Sequence, residues 1–315
     1  MLVVIALGDS AIVQRHQPLA THLLRQSVRD AAKAIAAIAL KHQVVLLHGN
    51  GPQIGLLTLM NGNSTDLNAA AADVLGAQTR GIIGFLLEQE LRNRMPGRQI
   101  CSLIHLALVD ADAPELMNPN RFIGPVYNRA QAQLVQEQNP DWVLQGDGRY
   151  YRRTIAAPPP REILELPAIR QLVKTGNITV ICGSGGGLPV RKDGDGKLHG
   201  VEAMVDRDLS AALIANGLSA DALLLLTSTE AVIDRPGEPG AKTIRTMTPE
   251  GFRSLGFSDT AMGPKMNAAC RFVYNDSRFC AIGNLNNAAE VLSGTSGTRI
   301  HFSGNASGEA QIDYY

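Results

Sequence analysis

Short apolar runs that end in glycine-bearing turns, each followed by a stretch of helical periodicity, constrain this chain more than any other feature. Residues 2–7 lead into Gly8-Asp9-Ser10, residues 44–47 lead through His48 into Gly49-Asn50-Gly51, and residues 178–182 lead into Gly183-Ser184-Gly185-Gly186-Gly187. An apolar run of that length, rich in Val, Ile and Leu, reads as a strand buried on both faces. Alternation of such strands with helices predicts an α/β chain built on an open, mainly parallel sheet with helices on both sides. In such a sheet the C-terminal ends of the strands share one edge, so the three turns are expected to meet there.

Helical spacing of Leu23, Leu24, Val28, Ala31, Ile35 and Ile38 predicts a helix over about 20–41. Further helices are expected over 53–59, 69–91, 167–174, 208–216 and 266–273, with further strands over 100–109 and 222–226. The middle of the chain breaks the rhythm. Residues 118–160 hold Pro119, Pro125, Pro140 and Pro158-Pro159-Pro160, together with Trp142, the chain's one tryptophan. That stretch reads as a small, irregular or mostly β subdomain inserted into the sheet. Residues 303–315 are polar and rich in small side chains, and a frayed, flexible tail is expected there.

Charge and cysteine usage exclude several classes. Lys+Arg and Asp+Glu stand at 29 each, so no overall field draws the 315-residue chain to nucleic acid or to an anionic membrane. Cys101, Cys182, Cys270 and Cys280 are scattered and form no metal knuckle or disulfide frame. The N-terminus reads as a strand rather than a leader, and no run is long and apolar enough to span a bilayer. A cytoplasmic protein with reduced thiols is the expectation.

Glycines let backbone N–H groups approach an anion, and a helix that follows adds its positive end. One such loop is ordinarily just a tight turn; three after three strands point to a phosphate or nucleotide site. Neither common nucleotide fingerprint is present: no G-x-G-x-x-G is completed, and Gly196-Lys197 is followed by Leu198 rather than Ser or Thr. Asp206-Arg207-Asp208 stands at a predicted helix start, where a carboxylate holds Mg²⁺, orients a cation or simply caps the helix. Lys265, in Met262-Gly263-Pro264-Lys265, opens another predicted helix. Arg149, Arg152 and Arg153 are read as structural cations of the insert. His48 is read as a ring that hydrogen-bonds its own loop rather than as a base.

These residues resemble the carbamate kinase family. His48 through Gly55 looks like its H-G-N-G-P-Q-V-G segment, and Phe122-Ile123-Gly124-Pro125-Val126-Tyr127 lies in a stretch similar to K-P-I-G-P-F-Y. Asp147 through Arg153 resembles D-A-G-R-G-Y-R-R, Gly183–Pro189 resembles G-G-G-G-I-P, Asp206–Leu209 resembles D-K-D-L, and Met262–Lys265 resembles M-G-P-K. The likeness is collinear from Leu2 to Ile300. It implies the amino acid kinase fold, a three-layer α/β/α sandwich over residues 1–302 that is usually a homodimer. It further implies an acceptor half over about 1–200, carrying the insert near 118–160, and a nucleotide half over about 201–302. The implied substrates are carbamate or carbamoyl phosphate and an adenine nucleotide, with Mg²⁺ accompanying ATP or ADP and no metal site of the chain's own. Carried over residue by residue, the likeness implies Arg207, Asp208, Lys265 and Arg121 as catalytic residues. Gly8, Asp9, Ser10, Gly49, Asn50 and Gly51 would hold the substrate. Gly185, Gly186, Asp206, Thr227, Met262 and Lys265 would hold the nucleotide.

The sequence departs from the family's pattern in its first loop, where Asp9-Ser10 stands for Gly-Asn, and at Arg121 and Arg207, which stand for lysines. A carboxylate beside a phosphate repels it at close range, and a guanidinium is a planar fork rather than a point charge. Three readings stay open on that basis. The chain is a carbamate kinase with a tuned site, serving arginine or purine nitrogen breakdown; or a kinase of this fold acting on a related small carboxylate; or a nucleotide-binding regulatory subunit without catalysis.

Overall fold

A computed structural model describes residues 1–12, 20–62, 72–183, 185–256, 262–274, 278–302 and 310–315. In chain order the elements begin β1 (Leu2–Leu7), α1 (Asp9–Ile12), α2 (Thr21–Ala39), β2 (Gln43–His48), α3 (Gly51–Gly62), α4 (Ala72–Arg94), β3 (Gln99–Leu103) and β4 (Leu106–Leu108). They continue with α5 (Pro114–Met117), β5 (Arg121–Tyr127), α6 (Arg129–Gln138), β6 (Val143–Asp147), β7 (Tyr150–Ile155), β8 (Glu162–Ile163), α7 (Leu166–Lys174) and β9 (Ile178–Cys182). Then follow β10 (Leu188–Lys192), β11 (Leu198–Gly200), α8 (Arg207–Gly217), β12 (Ala222–Thr227), β13 (Ile233–Asp234), β14 (Lys242–Met247), α9 (Pro249–Ser254) and α10 (Gly263–Phe272). The last are β15 (Phe279–Asn284), α11 (Ala288–Ser293), β16 (Thr298–His301) and β17 (Ile312–Tyr314).

The main sheet runs β13-β14-β16-β15-β12-β1-β2-β9-β3, and β17 pairs with β14. From β3 to β15 every pairing is parallel. Alternation of side chains sends Val4 and Ala6 of β1, Val45 and Leu47 of β2, and Leu223 and Leu225 of β12 into one core, beneath α7, α8 and α10. Their neighbours Val3, Ile5, Leu7, Val44, Leu46, Leu224 and Leu226 enter a second core beneath α2, α4 and α11. Burial of both faces explains why these strands are apolar throughout. α2 buries Val28, Ala31, Ile35 and Ile38 of the stripe its periodicity predicted, with Ala32, Ala36 and Ala39 beside them, while Leu23 and Leu24 are only half-buried.

Three details differ from the sequence reading. The expected strand over 100–109 is two strands, because the chain leaves the sheet at its edge after Leu103, and Leu106–Leu108 pairs with β10 in a separate four-stranded sheet. The insert holds a three-stranded antiparallel sheet, β5-β7-β6, together with the helix α6. That helix is nucleated by a capping box in which the Asn128 side chain accepts from the Gln131 N–H and the Gln131 side chain accepts from the Asn128 N–H. The tail is not frayed throughout: residues 303–309 lie outside the described set, but Ile312–Tyr314 adds a strand to β14. The Tyr314 hydroxyl donates to Asp234 and that of Tyr315 to the Gly297 carbonyl, which gives the tail the partners its composition did not advertise. The start of the expected helix over 69–91 falls partly outside the described residues. Among those described, no helix is long and apolar enough to cross a membrane.

Candidate active site

The parallel strands deliver their three turns to one edge, as expected. Leu7 of β1 is in register with His48 of β2 and with Leu226 of β12, so Gly8, Gly49 and Thr227 leave the sheet side by side. The turns are tied together by backbone bonds: Gly8 N–H donates to the Leu226 carbonyl at 2.7 Å, Gly49 N–H to Leu7 at 3.1 Å, and Gly185 N–H to His48 at 2.8 Å. Gly185 has a φ of +61°, a conformation that favours glycine. A ligand at the carboxyl edge of an open α/β sheet is the general arrangement.

Side chains finish the frame. The Ser10 and Thr227 hydroxyls are 3.2 Å apart and fasten the first loop to the end of β12. Asn50 is buried and donates to the Thr79 hydroxyl at 2.6 Å, with its oxygen beside Gly185. Gly186 packs so closely on the carbonyls of Val205 and Asp206 that a side chain there would collide with them, and its own carbonyl accepts from Ser210 at 2.6 Å.

Charge is concentrated where α8 and α10 begin. Asp206 caps α8, its Oδ1 accepting from the N–H groups of Asp208 and Leu209, and its Oδ2 meets Arg121 of the insert at 3.3 Å. Asp208 is buried, with Lys265 Nζ at 2.7 Å and the Arg207 guanidinium at 3.2 Å. Burial alone would push the Asp208 carboxyl up, but the charges of Arg207 and Lys265 outweigh it and hold the group at about 2. Burial likewise works against the charge on Arg207, and Asp208, Asp9 and Asp206 more than compensate, raising its pKa.

Asp9 closes the cluster. Its Oδ1 lies 3.5 Å from Arg207 Nη1, and the Gly51 N–H faces that oxygen from 3.5 Å. A Cβ built on Gly49 would fall inside this carboxylate, and one on Gly51 would come within 2.7 Å of Oδ2. The Asp9 carboxylate therefore lies directly against the backbone of the second glycine turn.

Gly8, Asp9, Ser10, Gly49, Asn50, Gly51, Gly185, Gly186, Asp206, Thr227, Arg207, Asp208, Lys265 and Arg121 thus belong to one connected set of contacts. Met262 precedes α10, packs against the core beneath it, and its carbonyl accepts from the Met266 N–H at 3.0 Å. Of the alternatives weighed for the two aspartates, Asp206 serves as the helix cap and Asp208 orients cations. Among the described residues no group of three or more His, Cys, Asp or Glu is placed to hold a metal ion, and the carboxylates of Asp206 and Asp208 are already engaged.

Burial keeps His48 neutral, lowering its pKa to about 4, and its Nδ1 lies 3.2 Å from the Gly49 carbonyl, as befits a loop-bracing ring. Of the insert arginines, two have structural partners: Arg153 reaches Glu202 at 2.6 Å and stacks 4.0 Å over Trp142, while Arg152 lies over Phe122. Sequence reasoning missed Thr79 and Arg80 on α4. The signal was present as a polar pair inside a helix whose neighbours Ile83 and Leu87 are buried.

The amino acid kinase family matches residues 1–284. The carbamate kinase of Rhizobium meliloti is 41% identical over 303 residues, 95% of this chain and 93% of that one. The carbamate kinase of Haemophilus influenzae is 40% identical over 95% of this chain and 96% of its own. Among solved structures, carbamate kinase from Giardia lamblia bound to AMP-PNP superposes with a TM-score of 0.86 at 30% identity, covering 96% of this chain and 98% of that one. The chain belongs to the amino acid kinase family, among its carbamate kinases.

Proposed function

We propose that this kinase transfers a phosphoryl group reversibly between ATP, as its Mg²⁺ complex, and carbamate, which becomes carbamoyl phosphate. The observation that carries this reading is the array of Lys265, Asp208 and Arg207 at the sheet edge, facing the glycine turns that follow β1 and β2. Residues 1–200 with the insert hold the carbamate side, and residues 201–302 hold the nucleotide.

The chemistry asks little proton transfer of the protein. Carbamate already carries its nucleophilic oxygen as an anion; that oxygen forms a bond to the γ-phosphorus as the bond to the bridging oxygen of ADP breaks, and no proton moves. Catalysis then consists of alignment and of neutralising charge on the transferring group. Lys265 is held by Asp208 with its ammonium at the start of α10, and Arg207 sits across the same carboxylate, so both cations are positioned before substrate arrives. Mg²⁺ bound to the nucleotide supplies further charge neutralisation. Arg121 comes from the insert, so closing that subdomain over the site adds a third cation. The Gly51 N–H, which Asp9 Oδ1 faces from 3.5 Å, serves the anion of the acceptor, while the Gly49 N–H stays with the Leu7 carbonyl.

The test is ATP formation from ADP, Mg²⁺ and carbamoyl phosphate, read with a coupled enzyme, alongside Lys265→Ala. ATP that disappears in the variant supports the reading; no ATP from a folded protein that binds ADP sinks it. A second reading, a different small carboxylate as acceptor, is favoured by the Asp9 carboxylate in the cradle, and turnover with such a compound but not with carbamate would select it.

A further inference from the structure

We propose that Asp9 is a specificity-determining residue of the acceptor half: its carboxylate fills the anion cradle formed by the second glycine turn and Arg207, and an anionic acceptor must displace it to bind. This rests on the kinase reading only in locating the acceptor on that turn.

Space is the first argument. The Gly51 N–H faces Asp9 Oδ1 from 3.5 Å, and a Cβ on Gly51 would come within 2.7 Å of Oδ2, so an anion bonded to that N–H and the Asp9 carboxylate cannot share the place. Charge is the second. Arg207 is divided between Asp9 at 3.5 Å and Asp208 at 3.2 Å, so an incoming anion competes with two carboxylates for its guanidinium. Across the cluster, Asp9, Asp206 and Asp208 balance Arg121, Arg207 and Lys265, so the cradle offers an incoming anion no net positive charge while Asp9 stays.

Exposure decides which member yields. The side chain of Asp9 is 38% exposed, against 12% for Arg207 and 5% for Asp208. Asp9 has solvent to turn into; Asp208 and Arg207 do not. Asp9 thereby acts as a place-holder. It partners a buried guanidinium when the cradle has no other anion, and gives way to a ligand whose oxygens take up the same N–H and guanidinium donors. The cost of that exchange falls on the acceptor side and leaves the nucleotide side untouched.

Binding of inorganic phosphate, measured by calorimetry at fixed pH and ionic strength in the intact chain, Asp9→Asn and Asp9→Ala, tests this without any turnover. Phosphate is expected to bind at least about tenfold tighter in both variants, equivalent to about 1.4 kcal/mol. ADP affinity is expected to stay as it is. Both variants should also melt earlier than the parent without phosphate and gain more in Tm when it is added, a response that a purely structural role for Asp9 would not produce. Equal or weaker phosphate binding in the two variants, or no phosphate binding in any of the three proteins, overturns the proposal. Failure of the kinase reading would show separately, as absent ATP formation in a chain whose phosphate binding still responds to Asp9.

Discussion

Lys265 donates to Asp208 at 2.7 Å across 57 residues of chain, and the same carboxylate holds Arg207 at 3.2 Å. One buried anion thus fixes two cations, from the starts of two different helices. Lys265→Ala is expected to lower kcat on the order of a hundredfold, the scale of losing one transition-state charge contact, with a smaller change in the KM for ADP. Near-normal kcat would remove Lys265 from the mechanism.

Asp208→Asn separates positioning from charge. Lys265 and Arg207 both remain, but their shared buried counter-charge is gone, and breaking such a network from one side costs about 3–5 kcal/mol. The variant is expected to unfold at distinctly lower denaturant concentration and to lose kcat as the lysine drifts. A variant with parental stability would show that Asp208 is not the anchor of both cations.

Arg121 meets Asp206 at 3.3 Å and is 41% exposed on its side chain, so their pair adds little to stability. Arg121→Ala is accordingly expected to leave Tm nearly unchanged. It should raise the KM for carbamoyl phosphate more than it lowers kcat, because the insert loses its hold on the start of α8. A kcat loss with KM unchanged would instead place Arg121 on the transferring group. Steady-state kinetics with carbamoyl phosphate varied at saturating ADP reads the difference.

How much of this was legible beforehand depends on the range of the signal. β1, β2, β9 and β12 announced themselves because burial on both faces forces continuous apolar runs, and the glycine turns followed from those strands. The helix in the insert was also written locally, in Asn128 and Gln131, but the surrounding prolines masked it. Asp9 could be recognised as out of place in its loop, yet nothing in the sequence said that it faces Arg207 and the Gly51 N–H, since that contact is made only when β1, β2 and α8 converge. The strand over 100–109 misled because Ile104 bridges two apolar stretches while the backbone changes sheets, and the carbonyl of the buried His105 accepts from the Leu188 N–H.

Acid should weaken the fold through two rings beside the glycine turns. His48 and His105 are buried and held neutral, with pKa values lowered by burial to about 4 and about 3. An unfolded chain takes protons on these rings near the ordinary 6.5 while the folded chain does not. Their contribution is therefore complete above 6.5 and lost as pH falls toward those values, at about 1.4 kcal/mol per ring for each pH unit. Denaturant titrations across that window should show a steep loss of stability that His48→Gln makes shallower. An unchanged slope in the variant would mean that His48 is already protonated in the folded protein.

Gly186 offers a test of the frame rather than of its charges. A Cβ at this position would come within 2.5 Å of the Asp206 carbonyl oxygen and 2.6 Å of that of Val205, both of them backbone atoms that cannot rotate aside. Gly186→Ala must therefore push the third glycine turn away from the start of α8, at a cost of about 1–3 kcal/mol for overpacking. The segment it presses on carries Asp206, which caps α8 and receives Arg121, and leads directly into Arg207, so it shares the displacement. Loss of activity is expected to exceed what the drop in Tm explains, since the cations move with the backbone that was pushed. Should the variant fold with lowered Tm but keep parental kcat, the packing of Gly186 against Asp206 would be a feature of stability alone, and the placement of Arg207 would have to depend on its partners Asp208 and Asp9 instead.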